Sequence, residues 1–401
     1  MRLLFCTTDG AGAFNGINAW LLDFLPALAA AGHQPVVLLF CWSPPGQCHT
    51  YPRLLERGIE VRTVYPRLYT EAAVRLCLKE ARRFKPDAFV ASHVVPALFA
   101  LPALRAAGIP GVSILHNDDE EYRAKASLPA DATVAVSQSL LHLIPSDGRV
   151  SRFIPYGVSL SPHVAETPQS EGPLRLVYHG RIANPQKRIV DTAGALARLC
   201  RAHPRVQADL YGSGPDEQLL RAQLARDDAD GRVRYLGSRS SDEIKKLLPD
   251  YHASVLLSDF EGLPVSVLES MSAGLVPVCL RTASGLPQLL RDGENGFLLS
   301  DRDQDLERAV SRLLASPDEW RRMAGRARET IVENFSSDSC VGRWCDLLQT
   351  LPPPAPLTSP APKSLPPPHP ALTAEDVRHP GLPRAIWRWL RFGPPAAPLP
   401  R

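Results

Sequence analysis

The sequence predicts an α/β protein with two parallel-sheet units in series, and three observations carry that expectation. Short apolar runs with β-branched residues alternate with longer helical patterns through residues 1–351, the order expected of parallel sheets covered on both faces. A segment holding Pro162, Pro168, Gly172 and Pro173 divides the alternation in two. The run Y-H-A-S-V-L-L-S-D-F-E-G-L-P-V-S-V-L-E-S-M-S-A-G-L-V-P-V-C-L, residues 251–280, writes out one complete strand–loop–helix–strand unit.

In the first series, Leu3 to Cys6 reads as a strand, followed by a loop carrying Gly10, Gly12 and Gly16. A helix follows from Ile17 to Ala31, with Leu21, Leu22, Leu25 and Leu28 on one face and Gly32 as its stop. Val36 to Phe40 is the next strand, and further strands are expected at 59–64, 87–91, 111–115 and 133–136. This is a nucleotide-fold opening, but its glycines do not form G-x-G-x-x-G, so a dinucleotide site is weakly supported. The strand Ile114-Leu115 ends in His116-Asn117, a polar tip.

In the second series, Leu176-Val177-Tyr178-His179-Gly180-Arg181 is a strand entering a loop, and Lys187-Arg188 opens the next helix. Leu210 to Pro215 repeats the strand-to-turn pattern. Ala253 to Leu257 is long enough for a buried strand, and Ser258 to Gly262 are loop residues. Pro264 suits the first turn of a helix, where its missing N–H costs nothing. Val265, Leu268 and Met271 share one helix face, Gly274 ends it, and Val276 to Leu280 is the next strand. Such a parallel pair needs a right-handed crossover. Helices from Asp303 to Leu351 close the series.

Two glutamates in this unit stand out. Glu261 lies in the loop at a strand's carboxyl end, and Glu269 lies about a turn and a half into the helix. Open parallel sheets bind ligands at those strand ends. Free N–H groups at a helix start seat phosphate, and carboxylates grip vicinal hydroxyls. Without further context, a solvated Glu261 and a helix-supporting Glu269 are the favoured reading of the pair.

Composition narrows the classes. A net charge of +3 argues against a nucleic-acid partner, and 44% hydrophobic content over 401 residues supports two full cores. The eight cysteines are scattered without C-x-x-C and read as buried, reduced thiols of a cytoplasmic protein. Cys41, Cys48 and His49 fit no zinc spacing. The opening Met1 to Cys6 is too short for a signal segment, and no apolar run reaches the ~20 residues of a membrane span.

The run F-E-G-L-P-V-S-V-L-E-S-M-S-A-G-L-V-P-V closely resembles the E-x7-E signature of retaining GT-B glycosyltransferases of family 4. Other segments fit the same family. Asn15-Gly16-Ile17 stands where Gly-Gly-Ile is usual; Gly180-Arg181 with Lys187 resembles its G-R-x(n)-K segment; Asp292 to Leu298 resembles its D-G-x-N-G-x-L turn. Gln288 departs from the pattern, standing where a glutamate is common.

The resemblance implies a GT-B fold, two Rossmann-like domains facing a central cleft. It places an acceptor-side domain at 1–161, a linker at 162–173 and a nucleotide-sugar domain with a return helix at 174–351. It implies a UDP- or GDP-sugar donor, an acceptor hydroxyl on a sugar or lipid-linked glycan, and no essential metal. By the match, Arg181 and Lys187 hold the diphosphate and Glu261 the donor sugar. Glu269 holds the ribose, with Gly180, Gly212 and the Gly262-Leu263-Pro264 turn around the nucleotide. His116 and Gly16 complete the site from the first domain. The acidic run from Asp118 to Glu121 reads as a solvated helix start rather than a metal site. A scaffold that binds a nucleotide sugar without turnover, or a nucleotide-sugar 2-epimerase, are the alternatives.

Residues 352–401 hold 16 of the 40 prolines and read as a disordered tail. Within it Arg384 to Phe392 reads as a short interfacial helix, where Trp387 and Trp389 would touch an inner membrane surface. A partner-docking peptide and an inert tail are the alternatives there.

Overall fold

A computed structural model describes residues 1–10, 16–65, 70–92, 95–118, 122–123, 126–227, 231–282 and 285–355. Asn15, the acidic residues Asp119 to Glu121, and residues 356–401 of the tail, with Trp387 and Trp389, lie outside the described residues. The first four tail residues are described and ordered against the first domain, contrary to the expectation of a disordered tail from 352, because the Ala355 N–H donates to the Gly108 carbonyl at 2.8 Å.

The first sheet is formed by β1 (Arg2–Asp9), β2 (Gln34–Cys41), β3 (Glu60–Val64), β4 (Ala88–Ala91), β5 (Gly111–Leu115), β6 (Ala132–Ala135) and β7 (Val150–Phe153). The second is formed by β8 (Leu174–His179), β9 (Val206–Tyr211), β10 (Val233–Tyr235), β11 (Ala253–Leu256), β12 (Val276–Leu280) and β13 (Phe297–Leu299). Their orders are β3-β2-β1-β4-β5-β6-β7 and β10-β9-β8-β11-β12-β13. Every pairing is parallel. This is the doubly wound α/β fold of GT-B proteins. β1 explains why the apolar runs do not alternate: seven of its eight residues are buried, because helices cover both faces.

The strand order reverses between β1 and β4 in the first sheet and between β8 and β11 in the second. A crevice opens at such a switch point, where neighbouring connections leave to opposite faces. The two carboxyl edges face each other across a cleft lined from both domains.

The helices that build its walls are α1 (Gly16–Ala30), α2 (Thr50–Glu56), α3 (Thr70–Phe84) and α4 (Val95–Ala106) in the first domain. In the second they are α5 (Asn184–Lys187), α6 (Ile189–Ala202), α7 (Glu217–Asp227), α8 (Ser241–Leu247), α9 (Val265–Ser272), α10 (Leu286–Leu289), α11 (Gln304–Ala315) and α12 (Pro317–Thr330). α13 (Ser337–Gln349) then returns to the first domain, where Trp344 meets Phe24 of α1 with ring centres 5.3 Å apart.

Several details differ from the sequence reading, among them the short strands β10 and β13 and the place of Lys187, which ends α5 rather than opening a helix. Pro264 is the N-cap of α9, with φ −75° and ψ 106°, not a residue of its first turn. Its extended ψ aims the chain out of the loop before the helix begins. β7 was not expected, because Val-Ser-Arg-Phe is a half-exposed edge strand without the apolar run that marks buried ones.

Candidate functional site at the interdomain cleft

The cleft holds a cavity of about 370 Å³ lined from both domains. On the second-domain side, β8 ends at His179 and the chain turns through Gly180 and Arg181. A Cβ at Gly212, whose φ is +145°, would lie 1.8 Å from the Gly180 carbonyl oxygen. The loops after β8 and β9 therefore touch backbone to backbone, and only glycine fits there.

Lys187 ends α5, and its Nζ donates to Glu261 Oε1 at 2.6 Å. Both side chains are largely buried, so this is an ion pair in a poorly hydrated place. Arg181 donates to Gln186 Oε1, and Gln186 Nε2 donates to the Phe260 carbonyl at 3.1 Å. Arg181, Lys187 and Glu261 thus converge on one wall, joined through Gln186.

The loop after Glu261 approaches the other domain. A Cβ at Gly262 would lie 2.3 Å from the His116 carbonyl oxygen, so any side chain here would push the domains apart. Leu263, Pro264, Val265 and Ser266 line the cavity at the start of α9, and no side chain caps that helix. An uncapped helix start facing a cavity offers N–H groups and a positive dipole end to an anion.

Glu269 is buried one turn further along. Burial raises its pKa to about 7; Lys245 opposes that shift and Asp23 adds to it. Ser241 Oγ donates to Glu269 Oε1 at 3.4 Å.

From the first domain, a Cβ at Gly16, at the start of α1, would lie 3.4 Å from Val265 Cγ2, so the two helix starts approach closely there. His116 is buried at the tip of β5 with both ring nitrogens engaged. Nε2 lies 3.0 Å from Ser92 Oγ, and Nδ1 lies 2.5 Å from the Tyr156 hydroxyl. The Tyr156 ring also stacks on the His116 ring at 17°. His116 therefore borders the cavity as part of a fixed aromatic frame.

The structure gathers Gly16, His116, Gly180, Arg181, Lys187, Gly212, Glu261, Gly262, Leu263, Pro264 and Glu269 around the one cavity. Sequence reasoning missed His179, Tyr156 and Ser92. His179 carried a signal, a polar residue ending an otherwise apolar strand; Ser92, joined to the site through His116, and Tyr156, which also lines the cavity, carried none. Gln288 proves to be a bridge between domains, its Oε1 accepting from the Gln138 N–H at 2.7 Å. Asp118, from the acidic run, pairs with Arg123 at 2.7 Å. Among the described residues no group of three or more His, Cys, Asp or Glu side chains gathers as a metal site, and no helix is long and apolar enough to cross a membrane.

Residues 163–330 match the glycosyl transferases group 1, and residues 14–161 match glycosyltransferase family 4. The two matches adjoin and together run over most of the chain. The chain belongs to the GT-B glycosyltransferases. Among relatives of this glycosyltransferase is WcaL of Salmonella typhimurium, named for colanic acid biosynthesis, 26% identical over 308 residues. That alignment spans 69% of this chain and 73% of WcaL. A glycogen synthase of Mycobacterium tuberculosis is 30% identical over 175 residues, 43% of this chain and 42% of its own. In structure, HepE of Anabaena in complex with UDP-glucose superposes with a TM-score of 0.71 at 20% identity, covering 88% of this chain and all of HepE. That likeness is one of fold.

Proposed function

We propose that this glycosyltransferase moves a sugar from a UDP- or GDP-sugar to an acceptor hydroxyl with retention at the anomeric carbon, in glycan, polysaccharide or glycolipid synthesis. The observation that carries the reading is the convergence of Lys187, Glu261 and Arg181 beside the uncapped start of α9. A leaving nucleoside diphosphate develops negative charge as its bond to the sugar breaks. Fixed cations and a helix N-terminus stabilise that charge without reorganising. Arg181 and Lys187 would take the diphosphate, Glu261 the hydroxyls of the donor sugar, and Glu269 the ribose. Gly262 and Gly16 let the first domain close over the sugar, with His116 framing it. The acceptor hydroxyl enters from the first-domain side, and a donor phosphate oxygen would take its proton. In this reading the cations and the helix start replace a divalent ion. The UDP-sugar complex of HepE, with the same fold, supports the donor class.

Incubation with a panel of UDP- and GDP-sugars, read by mass spectrometry for released nucleotide and by NMR for the product anomer, tests the proposal. Turnover in excess EDTA with the donor's anomeric configuration kept is the expected result. An inverted product would overturn retention, and activity that only magnesium or manganese restores would overturn the charge assignment. Binding without any turnover would favour the scaffold.

A further inference from the structure

His179 ends β8 in the cavity wall next to Glu269 and has no part in the reading above. Its surroundings fix where its proton sits. Nε2 lies 3.0 Å from Ser270 Oγ. The Ser270 hydroxyl has a single hydrogen, which it donates to the Ser266 carbonyl at 2.9 Å. With its hydrogen on the Ser266 carbonyl, Ser270 accepts from the ring, and this network favours the tautomer with the N–H on Nε2. Burial keeps the ring neutral, with its pKa lowered to about 4. A neutral imidazole with its proton on Nε2 presents a bare lone pair at Nδ1.

That Nδ1 stands 3.8 Å from Glu269 Oε2, beyond hydrogen-bonding distance. Both side chains are buried and both line the cavity. Once Glu269 is ionised, the wall thus offers two acceptors side by side with no hydrogen between them. Two neighbouring hydroxyl groups complete such a pair, one donating to each.

We propose that His179 Nδ1 is a second acceptor for the donor's ribose, so that one vicinal hydroxyl donates to Glu269 and the other to His179. The inference rests on the ribose assignment of Glu269. It makes the ring a specificity determinant, selecting ribonucleotides over nucleotides that lack a 2′- or 3′-hydroxyl.

Calorimetric titration tests this with UDP and GDP and their 2′-deoxy and 3′-deoxy counterparts. Wild type should prefer the ribonucleotide over at least one deoxy form by roughly 10–100-fold, the scale of a lost hydrogen bond in a buried site. His179→Phe keeps the ring's bulk and loses the lone pair. It should bind the ribonucleotide no better than that deoxy form, whose own affinity stays at the wild-type level. His179→Asn places an oxygen near the Nδ1 position and should keep the preference. His179→Gln reaches instead toward Ser270 and should lose it, and this pair carries the test if the Phe variant does not fold. Parallel weakening of all forms would reduce His179 to a structural plug and overturn the inference. So would an unchanged preference in His179→Phe or His179→Gln. Glu269→Gln separates the two assignments. If it abolishes the preference while the His179 variants keep it, only the role of His179 falls. If no variant alters it, the ribose assignment of Glu269 falls as well.

Discussion

On the second-domain wall of the cleft, Lys187 and Glu261 hold each other at 2.6 Å. On the first-domain wall, His116 is held by Ser92 and Tyr156. The difference lies in what a ligand can exchange. A cation and a carboxylate that pair at a cavity wall can hand their charges to phosphates and hydroxyls, because the new partners replace the old ones in kind. A ring fixed by two internal bonds gains nothing by breaking them. In the proposed reading the second domain thus supplies reactive charge. The first supplies a rigid frame, whose His116 carbonyl sets how closely Gly262 approaches.

The contrast breaks first at Lys187. Lys187→Ala should lower kcat by roughly 10²–10³, the scale of removing one preorganised transition-state donor, and should also lower the melting temperature, because the buried Glu261 carboxylate loses its partner. The double variant with Glu261→Ala should lose less than the product of the single losses, because the two residues are partners. A mild Lys187→Ala, measured by nucleotide release, would leave the wall without its charge.

Gly262→Ala probes the approach of the walls. Its new methyl would lie 2.3 Å from the His116 carbonyl oxygen, so the closed arrangement should weaken by about 1–3 kcal/mol, as overpacking does. Small-angle scattering should show a larger radius of gyration and turnover should fall. An unchanged radius with full activity would mean the loop yields freely.

On the frame side, His116→Phe leaves the Ser92 and Tyr156 hydroxyls without their partner and should cost about 1–3 kcal/mol of folding stability in chemical denaturation. Its loss in kcat should be smaller than that of Lys187→Ala. The reverse ranking would move His116 from frame to chemistry.

The smallest effect is the pH response of Glu269. Its folded pKa is raised from 4.5 to about 7 by burial, so the folded chain keeps a proton that the unfolded chain has already released between those values. Its contribution to stability therefore falls as pH rises from about 4.5 to about 7 and levels off above. Nucleotide affinity should run the other way, rising through pH 7 as the carboxylate becomes an ionised acceptor. Glu269→Gln should flatten that rise; titrations of both proteins at pH 6, 7 and 8 decide it.

How much of this was readable in the sequence depends on where each interaction's information sits. Arg181, Lys187, Glu261 and Glu269 fall in short segments whose spacing mirrors a strand end and a helix start, so the letters carried them. The parallel strands were readable for a related reason, since burial on both faces writes continuous apolar runs. The frame around His116 was not readable. Ser92, His116 and Tyr156 come from three separate segments, and only the sheet order brings them together. Gln288 stood out only as a departure from a common glutamate, yet its amide oxygen meets a backbone N–H 150 residues away, which no local pattern records. The proton on His179 needed two hydrogen bonds in space, to Ser270 and on to Ser266, before it could be placed.

The return of α13 sets how the two halves can move. The chain crosses between domains once after Val158 and again near Ser336, and the crossings run side by side. Val158 N donates to the Phe335 carbonyl at 2.9 Å, and Ser337 N donates to the Val158 carbonyl at 3.0 Å. A single tether would let the halves tumble through every orientation. Two crossings stitched together act as a hinge pin, leaving mainly one rotational degree of freedom about a line through them. Opening then swings the cleft edge widely while residues near the pin barely shift. Asp23 of α1, in contact with the Ser159 N–H at the pin and with Lys245 across the gap, sits where a small rotation is first felt.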